Sequence, residues 1–221
     1  KGEYLAFLDV DDLWRANKLK NQIKYFEDKS IGIVFTNTLF FSEKANKNLY
    51  NPSDKISVNT SSLITNYCLP LVSTMVDIQK IKLLKYDFDK NYSHISDFDL
   101  FIRISAISKV KYLNEVSSAW RIHNNNESFR KKELFNMEVK RWCNFHLKNK
   151  YLTRYFDEIN ELKMLTLAKD RILIYNFNFQ DFFKLLFIKI SSLKNRLFIL
   201  TSYIPLIPKL IYIYQMYKFK S

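Results

Sequence analysis

Three carboxylates follow directly on a short apolar run near the start of the chain. Residues 4–8 read YLAFL and predict a buried strand, and Asp9, Asp11 and Asp12 come immediately after it. In an open α/β sheet, ligands bind beyond the carboxyl ends of the strands, where these side chains would lie. Clustered carboxylates repel one another unless a cation or ligand hydroxyls offset their charge. The sequence therefore predicts a divalent cation here, Mn²⁺ or Mg²⁺, with open positions for phosphate oxygens.

A second interpretation of the same carboxylates is purely structural. Asp is common in turns and at helix N-termini, so Asp11 and Asp12 also suit a turn that caps the following helix. An Asp-x-Asp pair on its own does not decide between the two interpretations.

Strand and helix patterns alternate along the first 128 residues. Short apolar runs predict strands, and apolar residues at helical spacing predict helices. The predicted elements are a central strand over 4–8, a helix over 17–28, strands over 31–36 and 72–78, a helix over 97–108, and short strands over 110–113 and 116–122. Residues 42–59 are polar and predict a surface loop. This alternation is typical of an α/β sheet.

The two predicted helices of this region have more specific features. In the first helix, Leu19, Ile23 and Phe26 recur at helical spacing and predict its buried face. Ser96 precedes the second helix and predicts its N-cap. Arg103 lies in the same helix and is expected to pair with a carboxylate from the sheet.

Only helical periodicity follows residue 128. We expect helices over 129–150, 152–175 and 179–190, and therefore a domain boundary that separates residues 1–128 from a helical extension over 129–221. From residue 182 onward the chain has no Asp or Glu, while seven Lys and Arg alternate with Phe, Tyr, Leu and Ile. The chain therefore ends in a basic, aromatic-rich tail.

The net charge limits the possible partners. Lys and Arg number 35 against 22 Asp and Glu, which predicts an anionic partner: nucleic acid, a phosphate-bearing substrate or an anionic membrane. No helix-turn-helix, zinc-finger or RNA-binding aromatic motif is present, so nucleic acid is not expected. The longest uncharged run of the tail, residues 197–208, has 12 residues, whereas a membrane span needs about 20. The tail is expected either to contact an anionic membrane peripherally or to pack on the preceding domain.

Cysteine usage and the first residues bear on the compartment. Cys68 and Cys143 lie far apart without metal-ligand spacing, so neither a disulfide framework nor a zinc site is predicted, and a reducing cytoplasm fits. The opening residues KGEYLAF have no signal-peptide pattern and start one step before a strand, which predicts an interior cut, from either a fragment of a longer gene product or the remnant of a truncated gene.

Three segments together resemble one enzyme family. The stretch GEYLAFLDVDDLW and the KLKNQIKYF helix after it resemble the metal-binding segment of inverting glycosyltransferases of family 2, which have the GT-A fold. SDFDLFIRIS at 96–105 resembles the family's carboxylate motif at a helix start, and WRIHNNNES at 120–128 resembles its Arg-x-His segment. The resemblance implies α/β architecture, with a partial GT-A (Rossmann-like) sheet over 1–128 and an all-helical extension over 129–221.

The resemblance also implies roles on the donor side. Asp9 would contact the sugar or ribose of a nucleotide-sugar donor, Asp11 would ligate the metal that bridges its diphosphate, and Asp12 would support this substrate site. Arg121 and His123 would close over the diphosphate or its metal. A metal and an Arg suit this position because negative charge develops on the departing diphosphate.

On the acceptor side, Asp97 would be the general base that deprotonates the acceptor hydroxyl. Ser96 stands where the family usually has another acid. The implied reaction is transfer of a sugar, with inversion, to a glycan or lipid-linked acceptor in cell-surface polysaccharide biosynthesis. Its implied place is the cytoplasmic face of a membrane.

Several alternatives stay open beside this reading. Asp97 at a helix start is also explained by capping and the helix dipole, and His123 in a loop is often inert. Haloacid-dehalogenase-type phosphatases also use an Asp-x-Asp pair with Mg²⁺, but their motif has Thr or Val where this chain has Leu13. A catalytically inactive truncated remnant, or a basic protein that binds membrane surfaces or nucleic acid, is the non-enzymatic alternative.

The position of the motif near the start of the chain has a consequence. In the family, the strands before the Asp-x-Asp pair hold the nucleotide base, and this chain has almost nothing there. We expect these 221 residues alone to bind donor poorly, to be nearly inactive, and to expose an unpaired sheet edge.

Overall fold

The computed structural model describes residues 2–43, 46–51, 54, 56–174, 190 and 192–202. The chain divides into two compact units, Lys1–Arg130 and Lys131–Ser221. The first combines a mixed sheet with short helices, and the described part of the second is helical, so the α/β fold class with a helical extension is confirmed.

One mixed sheet organises the first unit. Its strands are β1 (Tyr4–Ala6), β2 (Leu13–Trp14), β3 (Ile31–Phe41), β4 (Asn46–Asn48), β5 (Met75–Asp77) and β6 (Lys109–Arg121). Their order is β1-β5-β3-β6-β2, with β4 paired to β3. Strands β3 and β6 are parallel, and the other pairs are antiparallel. The long parallel pair β3 and β6 therefore lies inside the sheet, with β5 and β1 on one side and β2 on the other.

The described residues form eight α-helices in the two units. They are α1 (Lys18–Ile23), α2 (Thr60–Thr65), α3 (Ile78–Lys82), α4 (Ser96–Ser105), α5 (Glu127–Arg130), α6 (Lys132–Lys148), α7 (Phe156–Ile174) and α8 (Leu193–Thr201). Short 3₁₀ turns cover Lys24–Glu27, Leu71–Ser73 and Lys150–Tyr155.

Helix α4 packs against the central strand and forms the core of the first unit. Ile33, Val34 and Phe35 of β3 are completely buried, as are Leu100 and Phe101 of α4. Burial on both sides explains why these segments read as nearly continuous apolar runs. The core thereby fixes the start of α4, where Asp97 lies, against the sheet.

Several detailed expectations were wrong. The strand at 4–8 was expected to be central, but β1 pairs only with β5 among the described residues and lies at the end of the sheet. Its other edge has no strand partner in the described part of the chain. The region 42–59 contains β4 as well as loop. The strands expected over 110–113 and 116–122 are one strand, β6 (Lys109–Arg121), because a bulge at 113–116 interrupts the pairing without ending the strand.

The helix predictions also need correction. The helix expected over 17–28 is α1 followed by a 3₁₀ turn, and its buried residues are Lys18 and Gln22, while Leu19 and Ile23 are exposed. Phe26 is buried as expected. Ser96 is the first residue of α4 and not its N-cap, because the N-cap position is Ile95, which has no side-chain hydrogen bond.

The second unit is built on α6 and α7. Trp142 and Cys143 of α6 are completely buried, and Met164 and Ala168 of α7 form a small apolar cluster with Ile199 of α8. No helix in the described residues is both long and apolar enough to cross a membrane. The helix expected over 179–190 and most of the basic tail lie outside the described residues.

Candidate functional site

The acidic turn after β1 is connected by hydrogen bonds to strand β6. Asp12 N–H donates to the Asp9 carbonyl (3.1 Å) and closes the turn, and β2 then pairs with Ser118 and Ala119 of β6. Arg15 N–H adds a further bond to the Ser117 carbonyl (2.9 Å). Pairing with β6 brings the turn beside the residues that follow that strand.

Asp11 meets His123 in this turn. The His123 Nε2 and Asp11 Oδ2 atoms are 2.8 Å apart, and the two side chains are 37% and 35% exposed. Arg121 Nε also donates to the Asp11 carbonyl oxygen (3.0 Å). The hydrogen bond from His123 is the main reason why the pKa of Asp11 lies below its usual value. Asp11 is therefore a carboxylate that stays charged and accessible.

The environment of His123 defines its tautomer. Asn125 N–H donates to Nδ1 (3.1 Å), so Nδ1 is an acceptor and the ring proton of neutral His123 lies on Nε2, facing Asp11. In this tautomer His123 orients Asp11 as a hydrogen-bond donor. Direct ligation of a metal by Nε2 requires the proton to move to Nδ1 and the bond from Asn125 to break.

Asp12 lies beneath this pair. It is 6% exposed, and its Oδ1 accepts from the backbone N–H of Arg121 (3.0 Å). Burial, together with the nearby charges of Asp11 and Asp9, raises the pKa of Asp12 to about 6. The buried Asp12 side chain therefore links the turn to β6 by a hydrogen bond.

Arg121 is held between the turn and an aromatic ring. Its guanidinium carbon lies 4.6 Å from the centroid of the Phe41 ring, which orients the side chain by a cation–π contact. Asn126 Nδ2 donates to the Arg121 carbonyl (3.0 Å), and Asn126 Oδ1 accepts from His123 N–H (2.6 Å). These two hydrogen bonds of the Asn126 side chain therefore stabilise the conformation of residues 121–126.

Asp97 lies at the start of α4, half-buried. Its pKa is raised, chiefly by burial and also by the charge of Asp9. The ring centroid of Phe7, two residues before Asp9, lies 5.8 Å from that of Phe101 in α4. The pKa of Asp9 is raised as well, by burial and by Asp11. The structure thus brings all three predicted segments to one end of the sheet.

Tyr67 is a site residue that the sequence analysis missed. Its hydroxyl donates to Asp97 Oδ2 (3.2 Å), and its ring packs edge-on against Phe98. The pKa of the phenol lies well above its usual value because the group is buried beside a carboxylate. No local pattern in TNYCLP predicts this contact, since Tyr67 and Asp97 are brought together only by the fold.

A buried polar network behind the turn was also missed. Trp14 Nε1 donates to the Val72 carbonyl (2.8 Å), and the Lys18 ammonium lies 4.4 Å from the centroid of the Trp14 ring. Lys18 Nζ donates to Gln22 Oε1 (2.8 Å), and Gln22 Nε2 donates to the carbonyls of Val34 and Ser73. This network fixes the residues after the acidic turn to the central strand.

Arg103 is structural, but its partner differs from the expected one. It pairs with Asp99, one turn earlier on the same helix (2.6 Å), and both side chains are buried. It also donates to the Tyr86 and Asp87 carbonyls. The pair fixes the loop before α4 and not the sheet.

The donor set fits a divalent cation held partly by substrate. No three His, Cys, Asp or Glu side chains form a ready-made metal centre in the part of the chain that the structure describes. Mg²⁺ is often bound by one or two carboxylates and completed by phosphates and water, and Mn²⁺ suits the same oxygen ligands. Asp11, charged and accessible, meets that requirement.

Comparison with known proteins finds glycosyltransferases. The chain is 28% identical over 126 residues to the UDP-Glc:alpha-D-GlcNAc-diphosphoundecaprenol beta-1,3-glucosyltransferase WfaP of Escherichia coli, covering 56% of this chain and 47% of that protein. WfgD of Escherichia coli, which is named for the same activity, is 26% identical over 113 residues, covering 51% of this chain and 42% of that protein. The uncharacterized glycosyltransferase MJ1057 of Methanocaldococcus jannaschii is 29% identical over 128 residues, covering 56% of this chain and 43% of that protein.

These similarities cover only part of each protein. The chain spans about half the length of the curated relatives it matches. No family model matches the chain. The chain is thus similar to glycosyltransferases, and the similarity agrees with the class of enzyme indicated by the three segments.

Proposed function

We propose that the chain carries the metal site and the catalytic base of an inverting, family 2 type glycosyltransferase of the GT-A fold. The observation that supports this most is the joining of the acidic turn to the segment after β6, through Asp11 with His123 and Asp12 with the backbone of Arg121. Asp97 at the same end of the sheet adds a carboxylate of a different kind, half-buried and with a raised pKa.

On the donor side, Asp11 would hold Mn²⁺ or Mg²⁺, oriented by the hydrogen bond from His123. When bound, the cation offsets the negative charge of the nucleotide diphosphate and of the leaving group. Arg121 would add its positive charge to the same phosphates, and Asp9 would accept hydrogen bonds from sugar or ribose hydroxyls. Asp12 would support this substrate site from its buried position.

On the acceptor side, Asp97 would act as the base. Its carboxylate takes the proton of the acceptor hydroxyl while that oxygen bonds to the anomeric carbon from the face opposite the diphosphate. The bond between the anomeric carbon and the diphosphate oxygen breaks, and the electron pair leaves with the nucleoside diphosphate. A raised pKa makes the Asp97 carboxylate a stronger base than an ordinary Asp.

The names of the relatives suggest specific substrates. Both Escherichia coli proteins are named for transfer of glucose from UDP-Glc to a GlcNAc-diphosphoundecaprenol lipid. We extend to this chain the corresponding kinds of partner: a nucleotide-sugar donor and a glycan or lipid-linked acceptor, in the synthesis of a cell-surface polysaccharide. A lipid-linked acceptor, together with the net charge of +13, favours peripheral action at the anionic cytoplasmic face of a membrane.

The proposal is tested by a transfer assay. Radiolabelled UDP-glucose and a GlcNAc-diphosphate lipid are incubated with Mn²⁺ and the wild-type protein, and sugar in the lipid fraction is counted. We expect Asp97→Asn to lower kcat by about 10²–10⁴-fold with little change in the KM of the donor. Asp157→Asn, an exposed Asp to Asn change in α7, is the matched control and should leave the rate unchanged.

The stereochemistry and the range of donors complete the test. A β-linked product from the α-linked donor would support inversion. If Asp97→Asn retains the wild-type rate, the assignment of the base is wrong. Because these 221 residues alone are expected to bind donor poorly, the assay is repeated with a version of the chain extended upstream. If neither form transfers sugar from UDP-, GDP- or dTDP-linked donors, the function is wrong and an inactive remnant is the better account.

A further inference from the structure

Strand β6 carries two extra residues where its pairing with β3 is interrupted. The partners Thr36 and Leu113 are followed by Asn37 and Val116, so Asn114 and Glu115 have no opposite residues on β3. Such bulges bend a strand and redirect its side chains. Strand β2 pairs with β6 only at residues 118–119, so in the described chain this stretch lies on an edge that β2 does not cover.

An open cavity of about 350 Å³ lies at this edge. Residues of α1 and the 3₁₀ turn after it form one wall, and residues 111–115 of β6 form the other. The volume is at the lower end of the range for small-molecule sites. None of the six residues assigned to sugar transfer lines it, so the cavity is a separate place on the first unit.

The bulge places an incompletely paired carboxylate in this cavity. Asn21 Nδ2 donates to Glu115 Oε2 (3.0 Å), which fixes the side chain, but Glu115 Oε1 is buried and has no hydrogen-bond partner among the described residues. A buried acceptor without a donor destabilises the folded state. A rotation of the Glu115 side chain would bring this oxygen to the surface of the cavity, where a hydroxyl of a bound molecule could donate to it.

The other groups of the cavity combine an aromatic surface with positive charge. Tyr25 is 40% exposed, and the Lys111 ammonium lies 5.6 Å from the centroid of its ring. Lys24 lines the same wall, and Tyr112 donates to Asn114 Oδ1 (3.3 Å). Two Lys against one Glu give the lining a net charge of +1.

We propose that this cavity binds a sugar residue that carries one acidic group. Such a sugar offers hydroxyls to Glu115 and the two Asn side chains, an apolar ring face to Tyr25, and one negative charge to Lys24 and Lys111. A nucleoside diphosphate fits less well, because its several charges exceed the net charge of the lining and are repelled by Glu115. The site goes beyond the proposed transfer reaction and gives the chain a second place to hold an acidic glycan.

Binding is measured by NMR chemical-shift titration of the wild-type chain with glucuronate and, separately, with glucose. We expect shifts confined to residues 21–25 and 111–115, and a lower Kd for glucuronate than for glucose. Tyr25→Ala should weaken glucuronate binding about two- to tenfold, since it removes the aromatic contact. Tyr151→Ala, at an exposed Tyr of the second unit, is the matched control and should have no effect.

Two further variants separate the cavity from the transfer site. Glu115→Gln keeps an oxygen for Asn21 but removes one acceptor and the charge, and should weaken binding of both sugars. Asp11→Ala should leave glucuronate binding unchanged even if it abolishes transfer. Near-UV circular dichroism shows whether each variant is folded. The proposal is overturned if folded Tyr25→Ala and Glu115→Gln bind glucuronate like the wild type, or if the wild type shows no preference over glucose.

Discussion

At the scale of single residues, Asp12 is a buried carboxylate that supports the candidate site through a hydrogen bond with the backbone of β6. The backbone N–H of Arg121 donates to its carboxylate and stabilises the charged form. Burial destabilises the charged form more than this one hydrogen bond stabilises it. The folded protein therefore binds a proton at Asp12 more readily than the unfolded chain does. Stability should then depend on pH through this residue.

The sign of that dependence follows from the two pKa values. The pKa of Asp12 rises from 3.8 to about 6 on folding, so the folded state is favoured at low pH and loses stability as pH rises through 4 to 6. The loss is up to about 3 kcal/mol. The Asp12→Asn variant keeps a side-chain oxygen that accepts from the Arg121 N–H but cannot ionise. It should therefore not show this loss of stability with rising pH.

Urea unfolding of both proteins from pH 4 to pH 7.5, with EDTA to remove cations, checks this expectation. The variant should become increasingly more stable than the wild type as pH rises, with most of the change between pH 4 and 6. A stability difference that is the same at every pH would rule out the account of Asp12.

Tyr67 should control the pH at which Asp97 works. Its hydroxyl stabilises the charged carboxylate, so Tyr67→Phe raises the pKa of Asp97 further above its usual value. Because a base must be deprotonated, kcat/KM rises with pH, and the acidic limb of the profile should move to higher pH in the variant. At the acidic end, kcat/KM should fall by up to about tenfold.

A pH–rate profile of the transfer reaction measures this shift, with Tyr151→Phe as the control that changes an exposed Tyr elsewhere. If Tyr67→Phe lowers the rate equally at every pH, the hydroxyl does not act through the titration of Asp97. Recovery of the wild-type rate at high pH distinguishes a positioning role from general loss of structure.

The identity of the acidic residues in the site was predictable, but their environments were not. Asp11 and Asp12 are adjacent in sequence, yet one is accessible and paired with His123, and the other is buried on Arg121 N–H. These partners lie more than 100 residues away, beyond any local pattern. The same reason explains why Tyr67 was missed.

At the scale of elements, helix α1 shows where periodicity misleads. The apolar residues Leu19 and Ile23 are exposed, while Lys18 and Gln22 are buried, because the cation–π contact with Trp14 and the bonds from Gln22 to two carbonyls outweigh the apolar pattern. The start of strand β3 and most of helix α4 were predicted, because burial on most sides leaves a strong apolar signal in the sequence, but β3 continues to Phe41 and α4 ends at Ser105.

The contact between β3 and the end of α4 depends on Gly32. A Cβ at this position would lie 2.8 Å from the Ser108 Cβ, closer than such atoms approach, and would also meet the Ser108 hydroxyl. Gly32→Ala should therefore destabilise the protein by about 1–3 kcal/mol. Gly2→Ala meets only an ordinary contact at 3.5 Å and is the matched control.

Thermal or urea unfolding of the two glycine variants tests this packing. The expected result is a lower midpoint for Gly32→Ala and an unchanged midpoint for Gly2→Ala. Equal stability of both variants and the wild type would mean that α4 has more freedom to move from β3 than its buried contacts indicate.

At the scale of the whole molecule, the positive charge is unevenly distributed. Residues 131–221 contain 17 Lys and Arg against 7 Asp and Glu, a net charge of +10 of the total +13, whereas residues 1–130 carry +3. The division into a nearly neutral first unit and a basic second unit is consistent with the proposed action at an anionic membrane surface. The boundary expected at residue 128 and the separate roles of the two parts stay predictions.

Binding to anionic vesicles should follow this distribution. Each Lys near an anionic surface contributes about 1 kcal/mol, so changing three Lys of the tail to Glu should weaken vesicle binding at least tenfold at low salt. The same change at three Lys of the first unit should have a much smaller effect. The tail positions are Lys209, Lys218 and Lys220, and the control positions are Lys20, Lys82 and Lys90.

Co-sedimentation with vesicles that contain phosphatidylglycerol, compared with neutral phosphatidylcholine vesicles, measures this binding. Equal loss in the tail and control variants would show that net charge alone, and not the basic second unit, directs the protein to membranes.

The most direct test of the central claim is the NMR spectrum of His123 during titration with Mn²⁺, with and without UDP. The protein has three His, so its ring signals can be assigned by substitution. We predict that Mn²⁺ broadens the His123 signal, that UDP lowers the Mn²⁺ concentration needed, and that Asp11→Ala abolishes the effect while Asp157→Ala does not. Broadening that is absent in the wild type, or equal in Asp11→Ala, would contradict a metal-held diphosphate at this turn.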